Sequence, residues 1–453
     1  MSAKVILTVI TGSLKGENFE FCDRTTCILG RAKDCHPRLP NDRYHKTISR
    51  YHCLLDINPP DIRIRDFGSL HGTYVNGKII GKRHRYQTPT EGARIQFPEY
   101  DLKNGDEIKL RHTVLRVKIE GVNHSDVNSS ESQTIGVDPS EKPILPRQSG
   151  LKSASTTLGC DSYLPKIRGY TTLKRLGQGG LGTVYLAHHD RTGELVALKI
   201  MRSHNRRPSD AIRQFLMEID KTKALQHPNI VRLREFGYDQ DSFFFTMDYC
   251  NGGSVLDLMQ QRGGKLSVNE AMSITLQVLD GLDYAHTIQV PDITLAQSGN
   301  IQAQGLVHRD LKPGNIFLAN LGLGRLAKVA DYGLAKAFDL AGLSGLSRSG
   351  QYAGSPAFMP RQQVIDFKYS KPDVDVWATA ACLYYMLTGR LPRDFGNQDP
   401  FWVVLQNKPV PIRQRDAGIP KGLAEVIDLA LTDNPQIYFK SAAAFKRALE
   451  SEL

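Results

Sequence analysis

The chain has 453 residues, 40% hydrophobic and 23% charged, with a net charge of +11; at roughly 100–200 residues per domain this implies about two to four folding units and excludes one compact domain. Its 39 glycines and 23 prolines are near average usage, so collagen-like and wholly disordered chains are excluded too. No run of about 18 apolar residues occurs and Met1–Ile10 lacks the order of a signal peptide, so the expectation is a soluble, cytoplasmic protein without a membrane span.

Residues 1–120 read as short alternating runs, Lys4–Val9, Cys53–Ile57, Ile62–Ile64 and Thr113–Ile119, separated by Gly, Asn, Pro and Asp clusters. This spacing predicts an all-β sandwich or barrel. Four of the seven cysteines (Cys22, Cys27, Cys35, Cys53) fall here. Their irregular spacing, without any C-x-x-C pair, reads as small reduced core residues rather than a disulfide framework or a zinc site. The predicted loops carry Gly30-Arg31, then Ser49-Arg50-Tyr51-His52, then the stretch from Asp66 to Gly77 that includes His71-Gly72-Thr73 and Asn76. An arginine and a serine on neighbouring sandwich loops can give charge-assisted hydrogen bonds to one phosphate. The region holds 21 Lys and Arg against 14 Asp and Glu. Such a basic surface attracts nucleic acid and phosphorylated protein alike, and no base-stacking or groove-reading motif accompanies it, so nucleic acid is not expected as a partner.

From Gly121 to Pro165 the periodicity stops. Serine and threonine supply 12 of these 45 residues, and the segment reads as a flexible, solvated linker. Strand-like Thr171–Leu176 and Thr183–His188 then flank a glycine-rich turn, and Leu195–Met201 is a third strand. Apolar residues at helical spacing follow in Ala211–Leu225, Asn269–His286, Asp375–Leu387, Gly422–Leu431 and Ser441–Leu449. A strand-rich part therefore precedes a helix-rich part.

The turn Gly177-Gln178-Gly179-Gly180-Leu181-Gly182 lets backbone N–H groups approach phosphate oxygens, although glycine turns between strands are common. Lys199 ends the apolar strand Val196-Ala197-Leu198-Lys199, and Glu218 on the following predicted helix could hold it as an ion pair. The decisive segments are Val307-His308-Arg309-Asp310-Leu311-Lys312-Pro313-Gly314-Asn315 and Asp331-Tyr332-Gly333. Phosphoryl transfer needs a carboxylate to orient the attacking hydroxyl, a cation near the γ-phosphate and oxygen ligands for Mg²⁺ at fixed mutual geometry, and one loop supplies most of them. In this ordered set the chain resembles the protein kinase family.

The resemblance implies an α+β bilobal kinase fold over residues 166–453, with ATP and Mg²⁺ as cofactors and protein substrates as partners. Asp310 would orient the substrate hydroxyl and accept its proton, Lys312 would neutralise transferring charge, and Asn315 and Asp331 would hold Mg²⁺. Lys199 with Glu218 would grip the α/β-phosphates beneath Gly177, Gly179 and Gly182. Adenine is expected among Leu176, Val184, Ala197, Met247 and Phe317, with the backbone of Asp248–Cys250 as hinge. Lys312 within its motif looks like the Ser/Thr-specific branch of the family, and the architecture resembles bacterial-type kinases. Arg309 would pair with a phosphorylated side chain, for which Ser344, Ser347, Ser349 and Tyr352 are candidates.

Several positions depart from the family pattern. Tyr332 stands where Phe is usual and keeps a ring to pack. Gln362 occupies the position of a Glu that normally pairs with a distant arginine, at which Tyr438 stands here; with both charges absent, Gln362 and Tyr438 are expected to be neighbours. Thr287–Gln304 is longer than the family requires and reads as an exposed surface loop. Asp375 matches a buried aspartate that braces the catalytic loop.

The motifs of residues 1–120, with Asn104-Gly105-Asp106 before the final strands, look like the forkhead-associated (FHA) domain, a reader of phosphothreonine peptides. The implied architecture is multidomain: an all-β FHA sandwich over 1–120, a Ser/Thr-rich linker over 121–165 and the kinase domain over 166–453. Carried over, Arg31 and Ser49 would contact phosphate with Arg50 beside them, while His52 and Asn76 would stabilise loops. His71 stands where the family usually has Asn and could make peptide binding weaker or pH-dependent. A reader tethered to a kinase would select phosphothreonine-containing proteins or the chain's own linker, where Thr134 is a candidate ligand. The alternative is a catalytically weak kinase fold serving as a scaffold for phosphoproteins.

Overall fold

A computed structural model describes residues 3–22, 25–33, 35–43, 45–92, 94–95, 97–121, 164–179, 182–202, 222–239, 242–290, 303–322, 324–332, 356–367 and 370–453. The first unit is built from antiparallel strands: β1 (Lys4–Thr11), β2 (Asn18–Phe21), β3 (Thr25–Leu29), β4 (Cys53–Asn58), β5 (Asp61–Asp66), β6 (Thr73–Val75), β7 (Lys78–Gly81), β8 (Tyr100–Leu102), β9 (Glu107–Leu110) and β10 (Thr113–Glu120), with the one-turn helix α1 (Pro89–Gly92) before β8. They form a six-stranded sheet in the order β2-β1-β10-β9-β6-β7 and a four-stranded sheet in the order β3-β4-β5-β8. Alternation in β1 turns Val5, Leu7 and Val9 inward, where they meet Cys27, Leu29, Leu55, Ile57 and Ile64 of the other sheet in one core. Burial pushes the Cys27 and Cys53 thiols well above their usual range, as for small inert core residues.

The second unit opens with an antiparallel sheet of β11 (Tyr170–Gly179), β12 (Gly182–His189), β13 (Leu195–Arg202), β14 (Leu233–Asp239) and β15 (Ser242–Asp248), ordered β11-β12-β13-β15-β14. Helices then dominate: α2 (Val255–Gln261) and α3 (Val268–Thr287), followed, after the short pair β16 (Gln289–Val290) and β17 (Ala303–Gln304) and the hairpin β18 (Ile316–Leu321) with β19 (Gly324–Val329), by α4 (Arg361–Ile365), α5 (Asp373–Thr388), α6 (Pro400–Gln406), α7 (Ile412–Arg415), α8 (Lys421–Ala430) and α9 (Ala442–Glu450). Ser267 caps α3 by accepting a hydrogen bond from the Glu270 N–H, and Ala271, Ile274, Val278, Leu282 and Ala285 form its buried stripe. α5 is apolar around most of its circumference and accordingly runs through the centre of the helical lobe, with Trp377 and Tyr384 fully buried. The expected strands and most of the expected helices are present; the Ala211–Leu225 segment, the linker from 122 to 163 and Thr134 lie largely or wholly outside the described residues. At the base of the Thr287–Gln304 excursion, β16 pairs with β17, and residues 291–302 lie outside the description.

The two units share a further core, which the expectation of two domains joined through a linker did not anticipate. Ile28, Tyr51, Leu54 and Phe67 of the sandwich pack with Val364, Ile365, Trp402 and Leu405 of α4 and α6. β3 is an edge strand, and Cys27 forms an antiparallel bridge with Asp366 while the Phe367 N–H donates to the Thr26 carbonyl. Beside this contact the Arg65 guanidinium pairs with the Asp399 carboxylate, both side chains being 5% exposed. Asp399 also caps α6, accepting from Phe401 N at 3.0 Å and Trp402 N at 3.2 Å.

Candidate functional site

The cleft between the two lobes of the second unit is organised by Asp375. Its two carboxylate oxygens accept the backbone N–H groups of His308 at 2.7 Å and Arg309 at 2.8 Å, and His286 Nε2 lies 2.8 Å away. Burial pushes this carboxyl upward, but the hydrogen bond and charge of His286, with His308, outweigh it and hold the group below the usual carboxylate range. His308 is itself locked, with Nε2 2.7 Å from the Ala330 carbonyl and Nδ1 accepting from Asp310 N at 3.1 Å. Arg309 takes a left-handed backbone conformation, φ +67°, a strained choice for arginine that persists because its surroundings impose it.

Held on this loop, Asp310, Lys312 and Asn315 meet. Lys312 Nζ lies 2.8 Å from Asp310 Oδ2, and Asn315 Nδ2 donates to the Asp310 carbonyl at 2.8 Å and its carboxylate at 3.1 Å. With the amide nitrogen committed in this way, the Asn315 oxygen remains as an acceptor. Across the cleft Lys199 Nζ pairs with Asp331 Oδ2 at 2.9 Å. The Asp331 carboxyl is raised by burial but lowered more by Lys199, His308 and Lys312, so it stays ionised. A carboxylate and an amide oxygen are hard donors that suit Mg²⁺. Glu218 and Gly333 lie outside the described residues, as do Ser344, Ser347, Ser349 and Tyr352. The Tyr332 ring packs edge-on against His308 with centroids 4.8 Å apart.

The expected nucleotide wall is partly legible. Ala197 and Met247 are cross-strand partners on β13 and β15, and Val184 faces Lys199 across β12 and β13. Gly177 and Gly179 lie on β11 opposite Val184 and Gly182. Gly182 has φ +143° and an added Cβ would stand 2.4 Å from the Ile200 carbonyl oxygen, so strand packing alone already demands glycine there. The Asp248 carboxylate is bound by Arg234 Nε at 2.9 Å and lies 3.6 Å from Lys328, while its backbone N–H donates to the Arg232 carbonyl at 3.1 Å. Burial pushes the Cys250 thiol up to about 11. Phe317 bridges to Ser254, and Leu176 is 41% exposed.

At the end of β3 the sandwich forms a second polar site. Gly30 passes so close to the next loop that a Cβ would stand 2.2 Å from the Arg50 carbonyl oxygen, which brings Arg31 beside Ser49 and Arg50. The Arg31 guanidinium is oriented by the Ile48 carbonyl at 2.7 Å and Asn41 Oδ1 at 3.0 Å. His52 ties this loop to the next, with Nδ1 accepting from Ser49 N at 3.1 Å and Nε2 3.2 Å from the Gly72 carbonyl. Asn76 bridges Asp106 and the Glu107 N–H. His71 stands half-buried among cations, and burial followed by Arg111, Lys82 and Arg83 lowers its pKa.

Two features escaped the sequence reading. Gln362 donates to the Asp433 carbonyl at 2.6 Å, and Tyr438 is half exposed and packs edge-on against Phe439. A buried ion pair does exist here but is made by Arg393 and Asp433, with the guanidinium 4.6 Å above the Trp377 ring. Gln363, 2% exposed, donates from Nε2 to the Arg309 carbonyl. Neither Arg393 nor Gln363 stands in a motif, and no local charge pattern marks them.

The family described as protein kinase domain matches residues 170–416, and that described as FHA domain matches residues 27–111. The chain is 32% identical over 270 residues to CBL-interacting protein kinase 21 of Oryza sativa subsp. japonica, covering 59% of this chain and 46% of that protein. It is 30% identical over 286 residues to serine/threonine-protein kinase Pkn1 of Myxococcus xanthus, covering 63% of this chain and 38% of that protein. It thus spans less than half the length of these relatives. The crystal structure of the Mycobacterium tuberculosis PknI kinase domain aligns with a TM-score of 0.47 and 22% identity, covering 64% of this chain and 98% of that one. The chain belongs to the protein kinase family and carries an FHA domain ahead of its kinase domain.

Proposed function

We propose that the chain is a serine/threonine protein kinase that transfers the ATP γ-phosphate to protein hydroxyls, and that its FHA domain reads phosphothreonine. The observation that carries the enzymatic reading is the contact set of Asp310, Lys312 and Asn315 facing the Lys199–Asp331 pair. Asp310 is the group to orient a substrate hydroxyl and take its proton, and its position is fixed through His308 and Asp375. Lys312, already 2.8 Å from Asp310, supplies a cation where negative charge passes between donor and acceptor. Lys199 is the cation for the α/β-phosphates, and the backbone of Asp248–Cys250 offers hydrogen bonds to adenine. Asn315 and Asp331 would hold Mg²⁺, which when bound neutralises phosphate charge. The name of the Myxococcus xanthus relative, a serine/threonine-protein kinase, supports Ser/Thr specificity.

The phosphothreonine reading rests on the oriented Arg31 beside Ser49 and Arg50, and on the cationic surroundings of His71. Transfer of labelled phosphate from ATP to a basic protein, compared between wild type and Asp310→Asn, tests the enzyme: incorporation by the wild type and at least about a hundredfold loss in the variant is expected. Folded wild type that binds nucleotide yet transfers nothing would leave the scaffold reading. Fluorescence anisotropy with matched phosphothreonine and unmodified peptides tests the reader, with Arg31→Ala expected to weaken binding by a factor of roughly 30 or more.

A further inference from the structure

The phosphate-reading loop and the catalytic loop are joined by an unbroken run of contacts through the interface of the two domains. The Tyr51 ring, 1% exposed, has the Arg50 guanidinium 5.9 Å and the Arg361 guanidinium 5.3 Å from its centroid. Arg361 also donates to the Tyr51 hydroxyl. Two residues on, Gln363 donates to the Arg309 carbonyl. Phe367, whose N–H is bound by Thr26 of the FHA edge strand, lies with its ring 5.8 Å from the Arg309 guanidinium. Arg309, the left-handed residue immediately before Asp310, is therefore held at its carbonyl and at its side chain by the same short segment, 361–367, that the FHA domain clamps.

The sign of the coupling follows from charge. Arg361 belongs to the kinase domain and approaches the same ring as Arg50, so docking adds a cation beside the phosphate-reading loop. A phosphate dianion on Arg50 is attracted by that added cation. The docked state therefore binds phosphothreonine more tightly than the undocked one, and by linkage the bound peptide strengthens docking to the same degree. We propose that phosphothreonine bound at Arg31, Ser49 and Arg50 activates the kinase in cis, by tightening the FHA domain on 361–367 and so fixing Arg309 and Asp310. Tyr51, Arg361, Gln363 and Phe367 are then positioning residues, and the activating ligand is a phosphothreonine protein distinct in role from the substrate. This rests on the reading of the FHA domain as a phosphothreonine reader.

The test uses the full chain, a phosphothreonine peptide and its unmodified counterpart, with amide hydrogen exchange at 306–311 and steady-state kinetics as readouts. In the wild type, the phosphopeptide should slow exchange there and raise kcat by a factor of about three or more, with KM for ATP unchanged. Arg65→Glu sets a carboxylate against Asp399 and should release the FHA domain; Asp399→Asn keeps the cap of α6 but removes the partner charge. Both variants should speed exchange at 26–29 and 306–311, lower basal kcat, and abolish the response to peptide while still binding it, several-fold more weakly. Peptide that binds the wild type without changing exchange or kcat overturns the proposal alone. So does release of the FHA domain, seen as faster exchange at 26–29, that leaves 306–311 and kcat as they were. Peptide that does not bind the wild type at all overturns the phosphothreonine reading, and the proposal with it.

Discussion

Lys199 on β13 and Asp331 after β19 meet at 2.9 Å across the cleft between the two lobes. Lys199 is buried to 7% exposure, and its charge and hydrogen bond keep the Asp331 carboxyl below its usual range despite burial. Lys199→Met should therefore do two things. It should raise the Asp331 pKa, moving the acid limb of the rate profile to higher pH, and it should lower kcat/KM for ATP by about two orders of magnitude. Rate profiles of both proteins between pH 5 and pH 8 check this, those pH values being roughly the usable range around neutrality.

Tyr332 carries a hydroxyl that is buried and without a hydrogen-bond partner among the described residues. Burial also holds its pKa well above the ordinary tyrosine value, so it is uncharged at any working pH. An unpaired buried hydroxyl costs on the order of 1–3 kcal/mol. Tyr332→Phe removes that cost and keeps the ring against His308, so the denaturation midpoint should rise with phosphoryl transfer retained.

Asp375 binds three partners while almost wholly buried. Asp375→Ala strands His286 and two backbone N–H groups, and should destabilise the helical lobe by about 3–5 kcal/mol near neutral pH. The folded carboxyl titrates below its unfolded value, so its contribution is present above the unfolded pKa and is lost as pH falls through the folded one. The gap between wild type and variant should accordingly narrow below about pH 4. Tryptophan fluorescence during urea unfolding follows it, because Trp377 lies in the same helix.

Gln362 donates to the Asp433 carbonyl, a bond that a carboxylate cannot make. Gln362→Glu, which restores the residue usual in the family, should thus destabilise this chain by about 1–3 kcal/mol. Arg393→Met should cost more, on the order of 3–5 kcal/mol, because Asp433 would keep a buried charge without its partner. Thermal unfolding of both variants orders the two effects.

Much of this was readable because local chemistry and fold agree. The alternation of Lys4–Val9, the helical stripe through Asn269–His286 and the run from His308 to Asn315 each identify their element without tertiary information. The interface between the domains was not readable, since Ile28, Leu54, Val364 and Trp402 look like ordinary core positions and their partner lies more than 300 residues away in sequence. Arg393 and Asp433 were missed for the same reason: an ion pair of distant residues leaves no periodic signal. The buried charge pair of this region stands on Arg393 and Asp433, next to the uncharged Gln362 that bonds the Asp433 carbonyl.

Phosphate transfer to serine and threonine by Asp310 and its neighbours can be read by mass-spectrometric site mapping after wild-type and Asp310→Ala chains are incubated with ATP and Mg²⁺. Phosphoserine and phosphothreonine are expected on the wild type or on an added basic protein, and none with the variant. Equal phosphate on both, or none on either while nucleotide still binds, would contradict it.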